Sequence, residues 1–293
     1  MNPHDTAATI RGAVARRAAT AWGRAAGMRK PPTLNRAAAS ASAAGRVNTQ
    51  ARPILRTMKT LDPDLLLRAY SIGVFPMSDS RDASDLYWVE PRRRAILPLD
   101  SFHLSKSLRK TLKSRAFEVT RDREFRAVVR LCAEREDTWI NAEIEESYVR
   151  LHEAGRAHSI EAWQDGELAG GLYGVRLGAA FFGESMVSLK PDASKVALAW
   201  LVARLIVGGF RLLDCQFMTP HLESLGAVEI DQKDYLVLLD AALGGGAAGL
   251  GAGGASVAGP VEFEALDRLL AGRAGAGVPP PGWIIAQLIG QTS

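Results

Sequence analysis

Glu184, Ser188, Asp214 and Gln216 are polar residues set among aliphatic and aromatic neighbours, and that setting is the first sign of chemistry in this chain. Unpaired polar groups are costly to bury, so such a mixture suits a pocket floor better than an ordinary core. Asp214 and Gln216 sit two apart in Leu212-Leu213-Asp214-Cys215-Gln216, a strand pattern that sends both side chains to one face. Glu184 follows Phe181-Phe182-Gly183, where an apolar strand runs out. That shared face makes Asp214 and Gln216 a better site pair than either residue alone. The blander readings are a solvent-facing turn acid for Glu184 and a cap or ion-pair partner for Asp214.

Other familiar chemistry is missing. Gly170-Gly171 lies in a strand pattern without a phosphate-loop lysine, and Gly244-Gly245-Gly246 lacks the dinucleotide fingerprint around it. His152 and His158 do not have the spacing of a zinc helix, and no metal site or cofactor is expected. Gly183-Glu184-Ser185 is not a nucleophile elbow; Ser185 reads as a turn residue and Cys215 as a core thiol. Two cysteines, Cys132 and Cys215, cannot build a disulfide scaffold and suit a reducing compartment. No apolar run reaches the roughly 20 residues that span a bilayer.

The elements that must carry these residues show a change of period. Asp62 and Pro63 start a short helix to Ile72, closed by Gly73. Ile96–Leu99 reads as a strand, Ser105–Ser114 as a basic helix, Phe117–Thr120 as a strand, and Glu124–Glu134 and Asn141–Ala154 as amphipathic helices. Ser159–Trp163 and Glu167–Val175 flank Asp165-Gly166, a strong hairpin signal. Ala179–Phe182, the apolar helix Asp192–Val207 and the strand Leu212–Cys215 follow. Hairpin, helix and strand in that order predict an α+β fold. The organisation expected from these elements is a basic extension over 1–60, a folded body over 61–243 and a Gly/Ala/Pro-rich tail over 244–293. That tail reads as linkers and surface attachments, with one short helix over Val261–Leu270.

Charge is unevenly spread. The formal net charge is +4, yet the first 61 residues hold eleven Lys or Arg against one acid, Asp5, so the rest of the chain is net acidic. A helix over Thr6–Ala26 is compatible with that extension, which otherwise reads as disordered. Within the acidic body, Trp88–Arg115 gathers Arg92, Arg93, Arg94, Lys106, Arg109, Lys110, Lys113 and Arg115 against Glu90 and Asp100. Such a stretch can follow phosphates, with Tyr87, Trp88 or His103 offering stacking surfaces; a solvated helix face is the competing account.

A longer series of motifs carries a resemblance. It runs through Ala69-Tyr70, Gly73-Val74-Phe75-Pro76, Trp88, His103-Leu104-Ser105-Lys106-Ser107, Thr138-Trp139-Ile140, Leu151-His152-Glu153 and His158-Ser159-Ile160-Glu161. It continues through Gly170–Val175, Gly183-Glu184-Ser185-Met186, Ala193-Ser194-Lys195, Leu213-Asp214-Cys215-Gln216 and Ser224-Leu225-Gly226-Ala227. In that order, over roughly residues 61–240, the chain resembles the leucyl/phenylalanyl-tRNA–protein transferases.

The resemblance implies a small N-terminal α+β domain over 61–118 and an acetyltransferase-like (GNAT-like) catalytic C-terminal domain over 119–243, used without coenzyme A. It implies transfer of Leu, Phe and Met from aminoacyl-tRNA to proteins with N-terminal Arg or Lys, marking them for N-end-rule degradation. The implied enzyme is a cytoplasmic monomer that needs no cofactor, metal or membrane. Carried over by position, Leu172, Phe181, Met186, Ser188, Leu198, Leu201 and Leu213 would line the aminoacyl pocket. Trp139, Tyr148 and Tyr70 would meet the tRNA's terminal adenosine end. Glu184, Asp214 and Gln216 would form the polar reaction centre, with Asp214 taking or relaying a proton and Gln216 orienting the amine or ester. Arg92, Arg93, Arg94, Lys106, Arg109, Lys110 and Lys113 would meet tRNA phosphates. The cationic acceptor would favour an anionic cleft around the acids.

Three departures stand out: Met77 where relatives have Trp, Leu172 for a pocket Met, and Val187 where Phe is common. The alternatives are a related transferase with another acceptor preference and a non-catalytic tRNA-binding module. A coenzyme A acetyltransferase fits less well, since no Gly-rich pyrophosphate loop precedes Asp192–Val207.

Overall fold

A computed structural model describes residues 51–56, 61–135, 138–244, 261–273 and 279–290, with backbone only for the first segment. The expected Thr6–Ala26 helix lies outside them. Strand β1 (Ala51–Arg56) precedes helix α1 (Pro63–Ser71), whose cap is Asp62, accepting the backbone N–H groups of Asp64 and Leu65. Leu66, Ala69 and Tyr70 form its buried face, three and four residues apart as a helix requires. Strands β2 (Phe75–Met77) and β3 (Tyr87–Pro91) join β1 in a three-stranded sheet ordered β1-β3-β2.

The larger sheet begins with β4 (Arg93–Ile96), which starts three residues before the strand expected at Ile96. Its two arginines point opposite ways, as alternation along a strand demands. Helix α2 (Lys106–Lys113) follows, capped by Ser105, then β5 (Glu118–Arg121), α3 (Phe125–Ala133) and α4 (Ala142–Glu153). The hairpin β6 (Ala157–Gln164) and β7 (Glu167–Leu177) closes through Asp165 and Gly166, both at positive φ, a type I′ pattern. Strand β8 (Ala180–Ser188), helix α5 (Ala193–Val207) and strand β9 (Leu212–Gln216) come next. Helix α6 (Pro220–Ser224), β10 (Val228–Asp231) and α7 (Gln232–Leu243) complete the central part.

The sheet order is β10-β4-β9-β8-β7-β6-β5, and β8 and β9 run parallel while the other pairs are antiparallel. A parallel pair needs a crossover, which α5 supplies. That helix is buried almost all round, as its unbroken apolar composition requires. Gly174 shows why the Gly-rich strand is needed: a Cβ there would sit 2.3 Å from the Phe182 carbonyl oxygen and 2.4 Å from the Phe181 ring. The chain therefore has the α+β architecture expected, with one mixed central sheet. β4 lies inside that sheet although it comes from the stretch expected to form the small N-terminal part.

The C-terminal tail departs from the expectation of surface attachments. Helices α8 (Ala265–Ala271) and α9 (Pro281–Gly290) bring Phe263, Leu266, Ile285 and Ile289 into the same apolar core as α5. Fully burying a side chain of this size is worth about 1.5–3 kcal/mol, so the tail is part of what holds this face together. Helix α8 answers to the short helix expected over Val261–Leu270, whereas the Gly/Ala/Pro-rich composition hid α9 and the burial of both.

Candidate active site

Two β-bulges aim the site. Tyr173 pairs with Ser185 and Gly174 with Gly183, so Glu184 is the extra residue on β8 and has no partner across the ladder. Ala95 pairs with Gln216 and Ile96 with Asp214, which leaves Cys215 as the extra residue on β9. A bulge bends its strand and re-aims a side chain. The pairing of β8 with β9 stops at Phe182–Asp214, so Glu184 and Gln216 lie beyond that ladder. Gln216 has φ +61°, a left-handed conformation that a non-glycine residue holds only where its surroundings impose it. The Gln216 N–H donates to Asp214 Oδ1 at 2.8 Å, and the Gln216 side-chain Nε2 donates to Glu184 Oε1 at 2.8 Å.

Asp214 is wholly buried and fully engaged. It receives Arg94 Nε at 2.9 Å and Nη2 at 2.6 Å, the Tyr235 hydroxyl at 2.7 Å, and the Gln216 N–H. These four donors use the roughly four lone-pair sites of a carboxylate. With these donors in place, Asp214 faces Arg94, Tyr235 and the Gln216 backbone, and holds Gln216 through its N–H. Arg94 requires a correction. Expected on tRNA phosphates, it is buried at 1% exposure, lies 4.6 Å from the ring centres of both Phe75 and Tyr235, and donates to the Gly73 carbonyl. Burial works against its charge, but Asp214 outweighs burial and holds the guanidinium above its usual range.

Glu184 sits in a closed ring of oxygens. Tyr70 Oη lies 2.7 Å from Oε1, Tyr148 Oη 2.8 Å from Oε2, and the two hydroxyls 2.6 Å from each other. Burial, above all, keeps both phenols well above their ordinary range, so they stay protonated. Two phenols bring two protons, and three contacts need three. An ionised Glu184 would leave two hydroxyl oxygens facing each other without a proton between them; a protonated Glu184 supplies the third. The electrostatics agree: burial pushes Glu184 up to about 7, against hydrogen bonds from Tyr70, Tyr148 and Gln216, with the Asp214 charge adding to the rise. Asp214 is neutralised by Arg94, and burial raises Glu184 toward neutrality, so both acids carry less negative charge toward a ligand than free carboxylates would.

The apolar positions converge only in part. Leu172, Phe181, Leu198, Leu201 and Leu213 belong to one buried cluster, and Met186 packs against it half-buried. Ser188 does not join them. It is exposed, donates to the Lys190 carbonyl and accepts the Ser194 N–H, a turn closure ahead of α5. Tyr70 and Tyr148 are not open stacking surfaces, because both are buried with their hydroxyls on Glu184. Trp139 is half-buried and meets Tyr148 edge-on, with ring centres 6.4 Å apart.

This constellation falls within sequence shared with known proteins. A family model described as leucyl/phenylalanyl-tRNA protein transferase matches residues 96–240, and the N-terminal domain model of the same family matches 59–92. The leucyl/phenylalanyl-tRNA–protein transferase of Rhizorhabdus wittichii is 59% identical over 255 residues, covering 80% of this chain and all of that one. The chain belongs to the leucyl/phenylalanyl-tRNA protein transferase family. Its Zymomonas mobilis relative of the same name is 61% identical over 187 residues, 62% of this chain and 70% of the relative. Among solved structures, a functionally unknown conserved protein from Staphylococcus epidermidis matches 62% of this chain and 68% of its own at 8% identity and TM-score 0.34, too distant to carry an argument.

For a transferase family that handles tRNA, the basic segment matters, and the structure divides it. Arg92 is exposed, whereas Arg93 is half-buried and paired with Glu229 and Asp231 on β10. On α2, Lys106 and Lys110 are exposed, and Arg109 and Lys113 half-buried. Those four, with Ser114, line an open groove of about 490 Å³. Sequence reasoning missed Tyr235 altogether and placed Arg94 on the wrong side of its strand. The one available signal was strand alternation, which puts Arg93 and Arg94 on opposite faces.

Proposed function

We propose that this protein transfers Leu and Phe, and also Met, from aminoacyl-tRNA to the N-terminal Arg or Lys of acceptor proteins. The new peptide bond marks the acceptor for N-end-rule degradation, and the enzyme works as a cytoplasmic monomer. Family membership supports the reaction class, and among the described residues no helix is long and apolar enough to cross a membrane. The parallel pair β8–β9, with its ladder ending at Phe182–Asp214, supports the finer reading of an acetyltransferase-like catalytic fold. The observation that carries the mechanism is the contact of Gln216 Nε2 with the buried Glu184, whose carboxyl burial raises to about 7.

The reaction needs little more. An aminoacyl ester is already activated, and an N-terminal amine, with an ordinary pKa of roughly 7.7–8.0, is partly neutral near pH 7. The amine nitrogen forms a bond to the ester carbonyl carbon, and the bond from that carbon to the ribose oxygen breaks. The nitrogen loses one proton and the ribose oxygen gains one. Gln216, held by Asp214 and Glu184, positions the amine through its free amide oxygen. Glu184 donates its proton to the departing ribose oxygen and recovers one from the amine, so the exchange balances within one turnover. Asp214 and Arg94 position Gln216 without touching substrate. Holding amine and ester together supplies much of the acceleration. The apolar cluster around Leu172, Phe181, Met186, Leu198, Leu201 and Leu213 takes the donor side chain, Trp139 lies toward the adenosine, and Lys106, Lys110 and Lys113 meet tRNA phosphates.

The test is transfer of labelled Leu from charged tRNA to peptides beginning Arg, Lys, Asp, Glu or Ala. Transfer to Arg and Lys peptides alone is expected. Transfer to Asp or Glu peptides would reassign the acceptor class, and tRNA binding without transfer to any peptide would make the protein a binding module.

A further inference from the structure

Helix α9 lies outside the span of either family model, and it is joined to the basic helix α2 at both ends. At its start, a Cβ on Gly282 would fall 2.0 Å from the Leu112 carbonyl oxygen, so only glycine permits this approach to the last turn of α2. At its end, Gly290 lies under the Arg109 guanidinium, where a Cβ would meet Nη1 at 3.0 Å. Ile284, Ile285, Ala286 and Ile289 are buried below. Trp283, the largest apolar side chain of the helix, is not: it is 46% exposed. Lys113 Nζ lies over its ring, 4.1 Å from the centre, and Lys113 in turn lines the groove with Lys106, Arg109 and Lys110. Helix α2, Lys-Ser-Leu-Arg-Lys-Thr-Leu-Lys, contains no acidic residue.

We infer that α9 is part of the tRNA-binding face, with Trp283 as a stacking platform for a nucleobase of the tRNA body and the α2 lysines holding the phosphates beside it. The inference rests on the aminoacyl-tRNA reading above. A cationic groove bordered by an aromatic ring is the surface that nucleic acids recognise, because phosphates follow the charge and every base has a face to stack. A helix docked only for stability would place its tryptophan inward with its isoleucines. Instead, the close approach allowed by Gly282 brings the ring beside Lys113, where a cation and an aromatic face serve one ligand. Arg109, lying across the end of α9, braces the two helices and is the least free of the four cations.

The experiment measures tRNA affinity against salt for the full chain, together with transfer from full aminoacyl-tRNA and from a short aminoacyl-adenosine donor. Trp283→Ala is expected to weaken tRNA binding about five- to a hundredfold with an unchanged salt slope, because removing a stack leaves every phosphate engaged. Trp283→Phe should restore most of that affinity, and transfer from aminoacyl-adenosine, which lacks the tRNA body, should fall far less. The double variant Lys106→Gln/Lys110→Gln should flatten the salt dependence by about one unit for each phosphate that is no longer neutralised. Wild-type tRNA affinity in Trp283→Ala, with the lysine variant weakened, overturns the inference and leaves the phosphate-binding reading standing. Wild-type affinity in both overturns the basic-face reading itself. Equal losses with both donors, not repaired by Trp283→Phe, overturn the inference in favour of a bracing role.

Discussion

The buried centre and the α2 surface both owe their character to ionisable residues, yet they use charge in opposite ways. Arg94 and Asp214 neutralise each other at 1% and 0% exposure, and burial pushes Glu184 up to about 7, toward its neutral form. Lys106 and Lys110 stand in solvent on a helix without acids. In the proposed mechanism the centre uses its charges for geometry, fixing one glutamine, while the surface offers its charges to the tRNA. In the low dielectric of the interior an unpaired ion would be costly, whereas a solvated lysine costs little until a phosphate arrives.

The sharpest way to break this contrast is to remove one buried and one exposed arginine. Arg94→Ala leaves Asp214 buried and unpaired and should lower stability by about 3–5 kcal/mol, with transfer lost. Arg92→Ala, at an exposed position, should stay within about 0.5 kcal/mol. Denaturant unfolding of the two variants side by side checks this. Similar small losses in both would show that the Arg94–Asp214 pair does not hold the centre.

Gln216 tests geometry apart from stability. Gln216→Gly relaxes the left-handed backbone while removing the side chain that reaches Glu184, so gain and loss of about 1 kcal/mol each should nearly cancel in stability. Transfer should nevertheless fall about a hundredfold or more, in kcat rather than in the KM for tRNA. Near-wild-type turnover would remove Gln216 from the reaction centre.

Glu184 supplies a pH test. Its folded value of about 7 lies above the ordinary carboxyl value of 4.5, so between those limits the folded protein keeps a proton that the unfolded chain releases. Stability should therefore fall as pH rises from about 4.5 to about 7, by at most roughly 3 kcal/mol, and level off above. Glu184→Gln should lose that slope. Transfer should rise with deprotonation of the acceptor amine and fall as Glu184 loses its proton, and Glu184→Gln should lose the alkaline fall along with most of its rate. A wild type whose stability is flat from pH 4.5 to 7 would show that Glu184 is ionised in the fold.

These tests also mark where sequence reading reached and where it stopped. The β6–β7 hairpin was legible because Asp165-Gly166 dictates its turn locally, and α5 because its apolar run is unbroken. The polar trio was legible because Glu184, Asp214 and Gln216 interrupt apolar strands. Their division of labour was not. It depends on Arg94 arriving from β4 and Tyr235 from α7, contacts that span 120 and 21 residues. The bulges that aim Glu184 and Gln216 are invisible for the same reason, since they arise from pairing between strands. Helix α9 was hidden by a tail whose Gly and Pro residues suggested a linker, although Gly282 is there for close packing.

The smallest expected effect concerns donor choice, at the apolar edge of the centre. Met186 lies two residues past the bulged Glu184 and packs half-buried against the cluster that holds Leu172, Phe181, Leu198, Leu201 and Leu213. Because it is half-exposed, Met186→Ala should cost less than the roughly 2–5 kcal/mol typical of a fully buried methionine. Its effect should appear in selectivity. Leu, Phe and Met are unbranched at Cβ, whereas Ile and Val carry bulk there, where the side chain enters the pocket. A methylene-sized difference in an apolar site is worth only about 1–3 kcal/mol, so the wild type should disfavour Ile and Val strongly but not absolutely. If Met186 walls the proposed donor pocket, shortening it should lower kcat/KM for Leu several-fold and narrow its lead over Ile and Val. Measuring kcat/KM for tRNAs charged with Leu, Phe, Met, Ile and Val checks this. An unchanged ranking with an unchanged Leu rate would take Met186 out of the pocket and leave discrimination to the fully buried residues behind it.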